Sequence, residues 1–187
     1  MRRPVPMFWD ADNLSPMVDK SLIVGNVDAA LKTYNPDFYL RSIFICASEA
    51  RDYTGIETPE CPVTYLRTPL RSLFCDACPN RRCFRPGEVG GNQDYFTRVK
   101  EFADRMIVQE MMSYAHDFPN QKQPMLLVTT DRDFRYSVKD LHDDRYLILT
   151  AVRSGYVEVP LVARNSVDHW LWEDMQNGRE CVANYYC

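Results

Sequence analysis

Several absences narrow the chain before anything in it is weighed. It has no apolar run long enough to span a bilayer, which argues against a membrane-spanning helix. It has no excess of positive charge. Its 22 Lys and Arg face 26 Asp and Glu, a formal charge of −4, so it is not a protein that coats nucleic acid through bulk electrostatics, although a local basic groove remains open. No repeat or low-complexity segment occurs. Histidine is scarce. Of the three, His116 and His142 fall at expected helix ends and His169 sits beside Trp170, all positions suited to structural use, so no Ser-His-Asp arrangement presents itself.

What is present is globular: 187 residues, 45% hydrophobic and 26% charged, enough for one domain with a buried core. Met1-Arg-Arg-Pro runs straight into strand-like sequence rather than a signal-peptide core, so an intracellular, cytoplasmic protein is expected. Seven cysteines is an odd number, and Cys75, Cys78 and Cys83 crowd together. That clustering suits reduced thiols or metal ligation better than a secreted disulfide framework.

The chemistry-bearing stretch is Met125-Leu-Leu-Val-Thr-Thr-Asp131-Arg-Asp133-Phe134. It is a short, nearly continuous apolar run, as expected of a strand in a parallel sheet covered on both faces, and it ends in two acids. In such sheets ligands collect beyond the carboxyl ends of the strands. Two neighbouring carboxylates there imply a hard cation or a raised pKa. The plainer alternative is a polar turn in which Asp133 caps a helix starting near Phe134.

Val5 to Asp10 is a second apolar strand ending in acids, Asp10 and Asp12, followed by Asn13 and by Ser15-Pro16, a usable helix start. Helical spacing over Leu22–Tyr34 stops at Asn35-Pro36. Phe38–Ala47 and Pro62–Leu66 follow as strands. Asp94–Phe118 is expected to be a long helix with Ala103, Ile107, Met111, Ala115 and Phe118 along one face. Asp104 borders that stripe, either as a solvated flank residue or as a third acid of a site. Phe134–His142 is a short helix, Tyr146–Val152 another strand, Val157–Asn165 a possible helix, and Val167–Trp172 a last strand or capping segment. The weakly patterned 173–187 is expected to be a tail outside a domain of residues 1–172. Alternation of strands and helices predicts a doubly wound α/β/α sandwich with a mainly parallel sheet. The carboxyl ends of its first strand and of the 125–130 strand would then lie on one edge, with Asp10, Asp12, Asp131 and Asp133 in one cleft.

Residues 68–93 interrupt this rhythm with three cysteines, three prolines and three glycines, a long insertion where a few residues usually suffice. Between Arg67 and Lys100 seven basic residues, Arg81, Arg82 and Arg85 among them, are interleaved with Phe74, Phe84, Tyr95 and Phe96. Cations that track phosphates and aromatics that stack on bases are what single-strand binding requires; a solvated loop with a small aromatic core is the alternative. Cys75, Cys78 and Cys83 offer three thiolates for a structural Zn²⁺, with Cys61 as the fourth ligand if the preceding strand end folds back, against free thiols packed in a loop.

Phe8-Trp-Asp10-Ala-Asp12-Asn13, Ala103-Asp104 to Met112 and Val128-Thr-Thr-Asp131-Arg-Asp133-Phe134 together resemble the NYN domains, a branch of the PIN-like ribonucleases, and most closely those of the meiosis regulator and mRNA stability factor type. The likeness runs over roughly residues 5 to 172 apart from the cysteine-bearing insertion. It implies a PIN-like α/β/α sandwich whose acidic cluster binds Mg²⁺ or Mn²⁺ and cuts single-stranded RNA endonucleolytically. Asp10, Asn13, Asp104, Asp131 and Asp133 match the family's site residues, and Arg105 stands where many relatives carry a second acid or a Lys. Asp10 and Asp131 are then expected as direct ligands, with Asp104 and Asp133 binding directly or through water. Asn13 would position a phosphate or water, and Arg132 would join Arg81, Arg82, Arg85 and Phe84 in binding substrate. A catalytically weak NYN-like module that binds RNA or a protein partner, a homodimer included, is the main alternative. A phosphatase or flap-type DNA nuclease would use similar carboxylates.

If the insertion supplies affinity, charge reversal at Arg81 and Arg82 weakens RNA binding and reduces its salt dependence. A binding titration across salt concentrations checks this, and unchanged affinity and slope would remove the insertion from the substrate path.

Overall fold

A strand packed on both faces has to be apolar along its length. β1 (Arg3–Asp10), buried from Val5 onward, and β4 (Pro124–Val128), buried throughout, meet that demand. In the computed structural model they pair in parallel at the centre of a six-stranded sheet of order β3-β2-β1-β4-β5-β6, with β2 (Phe38–Ser48), β3 (Val63–Thr68), β5 (Leu147–Val152) and β6 (Asp168–Leu171) completing it. All five pairings are parallel, as the apolar runs predict. The structure describes residues 2–48, 51–68, 93–119, 123–154 and 162–182, without the side chains of 48, 93–102 and 165.

Proline is awkward in a central strand because it cannot donate to the ladder. Here the β1–β2 register shifts between Val5 and Pro6, so Pro6 lies at an irregularity, while Pro124 opens β4.

Side chains alternate across the strands, so each face gathers its own core. Val5, Met7, Trp9, Leu126 and Val128 pack with α1 (Lys20–Tyr34) and α4 (Trp172–Met175). Phe8, Met125, Leu127 and Ile148 pack on the other face with α2 (Gln93–Asp117) and α3 (Arg135–Asp143). Helices on both faces of the sheet make the α/β/α sandwich.

The α2 stripe forms as expected, with Ile107, Met111 and Ala115 buried. Phe118 does not join the core: it is 36% exposed and leans on Tyr114, ring centroids 4.8 Å apart. α1 starts at Lys20, and Asp19 caps it by accepting the Ser21 N–H at 2.9 Å, in place of the expected Ser15-Pro16. Of the Val157–Asn165 segment, the described part is a 3₁₀ turn at Ala163–Asn165. The long 68–93 insertion, with Cys75, Cys78, Cys83, Arg81, Arg82, Arg85 and Phe84, lies outside the described residues apart from its ends. No helix among the described residues is long and apolar enough to cross a membrane.

The boundary at 172 does not hold. Trp172, Met175 and Gln176 are fully or almost fully buried. Val182 N donates to His169 O at 2.9 Å, closing the chain back onto β6. Weak periodicity hid this segment because four helical residues carry too short a pattern to read.

Gln176 ties the segment to the rest of the fold. Its Oε1 accepts the Met17 N–H at 2.6 Å, its Nε2 donates to Trp172 O at 3.2 Å, and its carbonyl accepts from Asn26 Nδ2. Replacing Gln176 with Leu keeps the volume but strands the Met17 donor, and should cost about 1–3 kcal/mol in denaturant unfolding. An unchanged midpoint would show that water replaces the lost bonds.

Candidate functional site

The sheet order reverses between β1 and β4, the position where a doubly wound sheet opens a crevice beyond its strand ends. β1 ends there in Asp10. Two residues after Phe8, Asp10 shares its face, the one covered by α2 and α3. This alternation puts the strand acid on the side of the sheet where α2 carries Asp104. Cys46, the register partner of Asp10, packs against that helix: its Sγ lies 3.7 Å from the carbonyl of Ala103, the residue before Asp104.

Asp10 is 5% exposed. Its Oδ2 accepts the Thr129 hydroxyl at 3.1 Å and its Oδ1 the Asn13 N–H at 3.3 Å. Thr129 Oγ1 in turn accepts the Asp131 N–H at 3.1 Å, so one hydroxyl joins the end of β1 to the turn after β4. Asn13 makes a second tie, its Oδ1 accepting the Thr130 N–H at 2.9 Å. Because a backbone N–H only donates, Oδ1 must be the acceptor, which directs Nδ2 away from Thr130. Asn13 therefore braces the loop that carries the acid pair.

Burial pushes the Asp10 carboxyl up to about 6, against the Thr129 and Asn13 hydrogen bonds, which favour its charged form; Asp12 and Asp131 add repulsion. Burial, with the charges of Asp10, Asp12 and Asp104, pushes the Cys46 thiol up to about 12. Cys46 stays protonated at neutral pH and is no nucleophile.

Asp131 caps the 3₁₀ turn Arg132–Phe134, accepting the Asp133 N–H at 3.0 Å. The expected cap at Asp133 is thus displaced by two residues: α3 begins after Phe134 without a side-chain cap, and Asp133 is exposed. Carboxylate oxygens of Asp104, Asp131 and Asp133 all lie within 4.8 Å of one another. Three acids at that spacing repel unless a cation compensates them, and an oxygen-only set suits a hard divalent ion. Asp10 stands outside this trio but close enough to raise its own pKa against Asp131.

Arg132 is exposed beside the trio, its Nε 3.9 Å from Asp133 Oδ1. Asp12 turns elsewhere, pairing with Arg51 at 3.1 Å. Cys61 is 1% exposed in the core at the amino end of β3, whereas the insertion leaves β3 at its carboxyl end beyond Thr68. Burial pushes its thiol up to about 11. Six strand residues, about 20 Å, separate those ends. Cys61 is therefore packed in the core, while Cys75, Cys78 and Cys83 lie outside the described residues.

Sequence reasoning missed Thr129 as the connecting hydroxyl, and it missed two arginines. Arg153 follows the last residue of β5, donating from Nη2 to Asn13 O at 2.8 Å and from its backbone N–H to Thr130 Oγ1 at 3.1 Å. Arg51 donates to Ala11 O at 3.3 Å and to the Ser15 hydroxyl. The two clamp the β1–α1 loop from either side. A cation directly after an apolar run was the available signal for Arg153.

No protein-family model matches this chain, and no curated protein matches it. Among solved structures it is similar to the crystal structure of a Vibrio parahaemolyticus protein of unknown function, with a TM-score of 0.54 and 13% identity over 93% of this chain and 95% of that one. At that identity the likeness establishes the fold: a doubly wound α/β/α protein, here with an acidic cluster at the switch point.

The Asp10 carboxyl has a folded pKa near 6 against 3.8 for the free group. Its contribution to stability is thus complete below about pH 4 and lost as pH rises through about 6, a swing on the order of 3 kcal/mol. In EDTA, Asp10→Asn should remove this descent and leave a flatter stability profile over that window. Parallel curves for variant and wild type, compared by denaturant unfolding, would refute the shift.

Proposed function

We propose that the chain is a divalent-metal-dependent endoribonuclease that hydrolyses phosphodiester bonds in single-stranded RNA, on the pattern of the NYN domains it resembles. The observation that carries this is the convergence of Asp104 from α2 with Asp131 and Asp133 from the turn after β4, at the switch point of a parallel sheet. The donors fit Mg²⁺ or Mn²⁺, since all are carboxylate oxygens and none is sulfur or imidazole. Asp104, Asp131 and Asp133 would hold the ion, and Asp10 would share it through the lone pairs its two hydrogen bonds leave over. When bound, such an ion activates water at neutral pH and offsets charge developing on the phosphoryl oxygens.

The chain's own residues supply the rest. Thr129 and Asn13 fix the turn after β4, so the acid pair is preset rather than ordered at the moment of reaction. Asp10, with its carboxyl near pKa 6, is already largely ionised at neutral pH, so it can add its charge to a cation without first losing a proton. Arg132 offers an exposed cation to the phosphate backbone next to the trio. The insertion leaves β3 at the same edge, consistent with Arg81, Arg82, Arg85 and Phe84 belonging to the substrate path.

Asp104→Asn and Asp131→Asn keep shape and remove charge. Each should fold and bind single-stranded RNA, with affinity equal to or slightly above wild type, yet lose about 100-fold or more in cleavage, since the lost interactions act mainly in the transition state. Labelled RNA and DNA strands incubated with Mn²⁺, Mg²⁺ or EDTA measure this. A wild type that binds RNA but never cuts it, or variants that cut as well as wild type, would leave a binding module.

A further inference from the structure

Exposed tyrosines are common and a lone one says little. Tyr136 differs in its position. The 3₁₀ turn Arg132–Phe134 runs directly into α3, with Phe134 and Arg135 both in helical conformation. Side chains three apart in such a segment share a face, so Tyr136 stands next to Asp133 of the acidic trio. Phe134, Val138 and Leu141 form the buried face of this segment. Tyr136 points away from them and is 62% exposed, so the core does not account for its size.

Its ring is not bare. The Arg135 guanidinium lies 4.4 Å from the ring centroid, and Arg135 also donates to the Tyr136 hydroxyl. A guanidinium stacked on a phenol ring makes a flat, polarisable, positively charged surface of the kind on which a nucleobase stacks. Arg132 precedes Tyr136 by four residues and Lys139 follows it by three along the same helix flank. Asp140, four residues on, shares that flank and Lys139 is paired with Asp143, so the cation beside the ring on the side of the acidic trio is Arg132.

We propose that Tyr136, backed by Arg135, is the stacking platform for the base of a nucleotide adjoining the scissile phosphate of single-stranded RNA. The proposal rests on the nuclease function above and adds to it a binding subsite and the physical reason for single-strand preference. A base held on Tyr136 cannot at the same time be stacked and paired in a duplex. With the base there, its sugar and phosphate face the turn that carries Arg132 and Asp133. Tyr136 binds and positions, and moves no proton.

The test uses the full chain and short single-stranded RNA, with binding measured by fluorescence anisotropy in EDTA and cleavage measured in Mn²⁺. Tyr136→Ala should weaken binding and raise KM by roughly 5- to 100-fold, the range for one base–aromatic stack, with a much smaller change in kcat. Tyr136→Trp should stay close to wild type. Scanning a single abasic nucleotide through the RNA should reveal one position that costs the wild type a similar factor and costs Tyr136→Ala little more, the coupling expected of two groups in contact. Wild-type behaviour of Tyr136→Ala, or a loss that no abasic position reproduces, overturns the proposal. Cleavage that persists without this coupling defeats the platform and spares the nuclease. Coupling in EDTA by a protein that never cuts RNA supports the platform and defeats the nuclease. Failure of the wild type to bind RNA defeats both.

Discussion

The carboxyl edge of this protein depends on the parallel pairing of β1 with β4 at the point where the sheet order reverses. That pairing aligns Trp9 with Val128, so the residues that follow, Asp10 and Thr129, emerge side by side. Their hydrogen bond, continued from Thr129 to the Asp131 N–H, turns a packing relationship between two hydrophobic strands into a fixed distance between acids. The alternation of side chains then decides which helix takes part. Asp10 faces α2, and α2 brings Asp104. A slip of one residue in β1 would send Asp10 to the α1 face and dissolve the arrangement.

Electrostatics at this edge are held in tension. Burial opposes charge on Asp10 more strongly than its two hydrogen bonds favour it, which is why its pKa settles near 6 rather than in the ordinary carboxylate range. Asp12 meets Arg51, and Arg132 comes within reach of Asp133, while Arg51 and Arg153 also donate to the carbonyls of the β1–α1 loop. Among the described residues, Arg51 and Arg153 hold the β1–α1 loop and Arg132 flanks the trio. A divalent cation among Asp104, Asp131 and Asp133 would relieve the remaining repulsion where it is most concentrated.

Most strands were legible from sequence because burial on both faces demands an apolar run, and β1, β2, β4 and β5 each display one. The acids were legible for a related reason: a carboxylate at the end of such a run stands out against it. Convergence of Asp104 could not be read from its helix alone, where a flank Asp is ordinary; the resemblance supplied it, and the fold brings it together with Asp131 and Asp133. What stayed hidden was set by tertiary contact. Asp19 takes the α1 cap from Ser15-Pro16 because the Ser15 carbonyl and hydroxyl are engaged by Trp172 and Arg51. Cys61 reads as a spare thiol in the sequence, whereas in the fold it is buried in the core. α4 is too short for periodicity, although Trp172 and Met175 are core residues.

The central claim is that these carboxylates form a divalent-cation site, and crystals grown with Mn²⁺ and measured for its anomalous scattering test it most directly. The account predicts a peak bounded by the carboxylates of Asp104, Asp131 and Asp133, with Asp10 adjacent, absent in crystals of Asp131→Asn. Saturating Mn²⁺ with no peak among these side chains, or a peak that survives loss of the Asp131 charge unchanged, would contradict it.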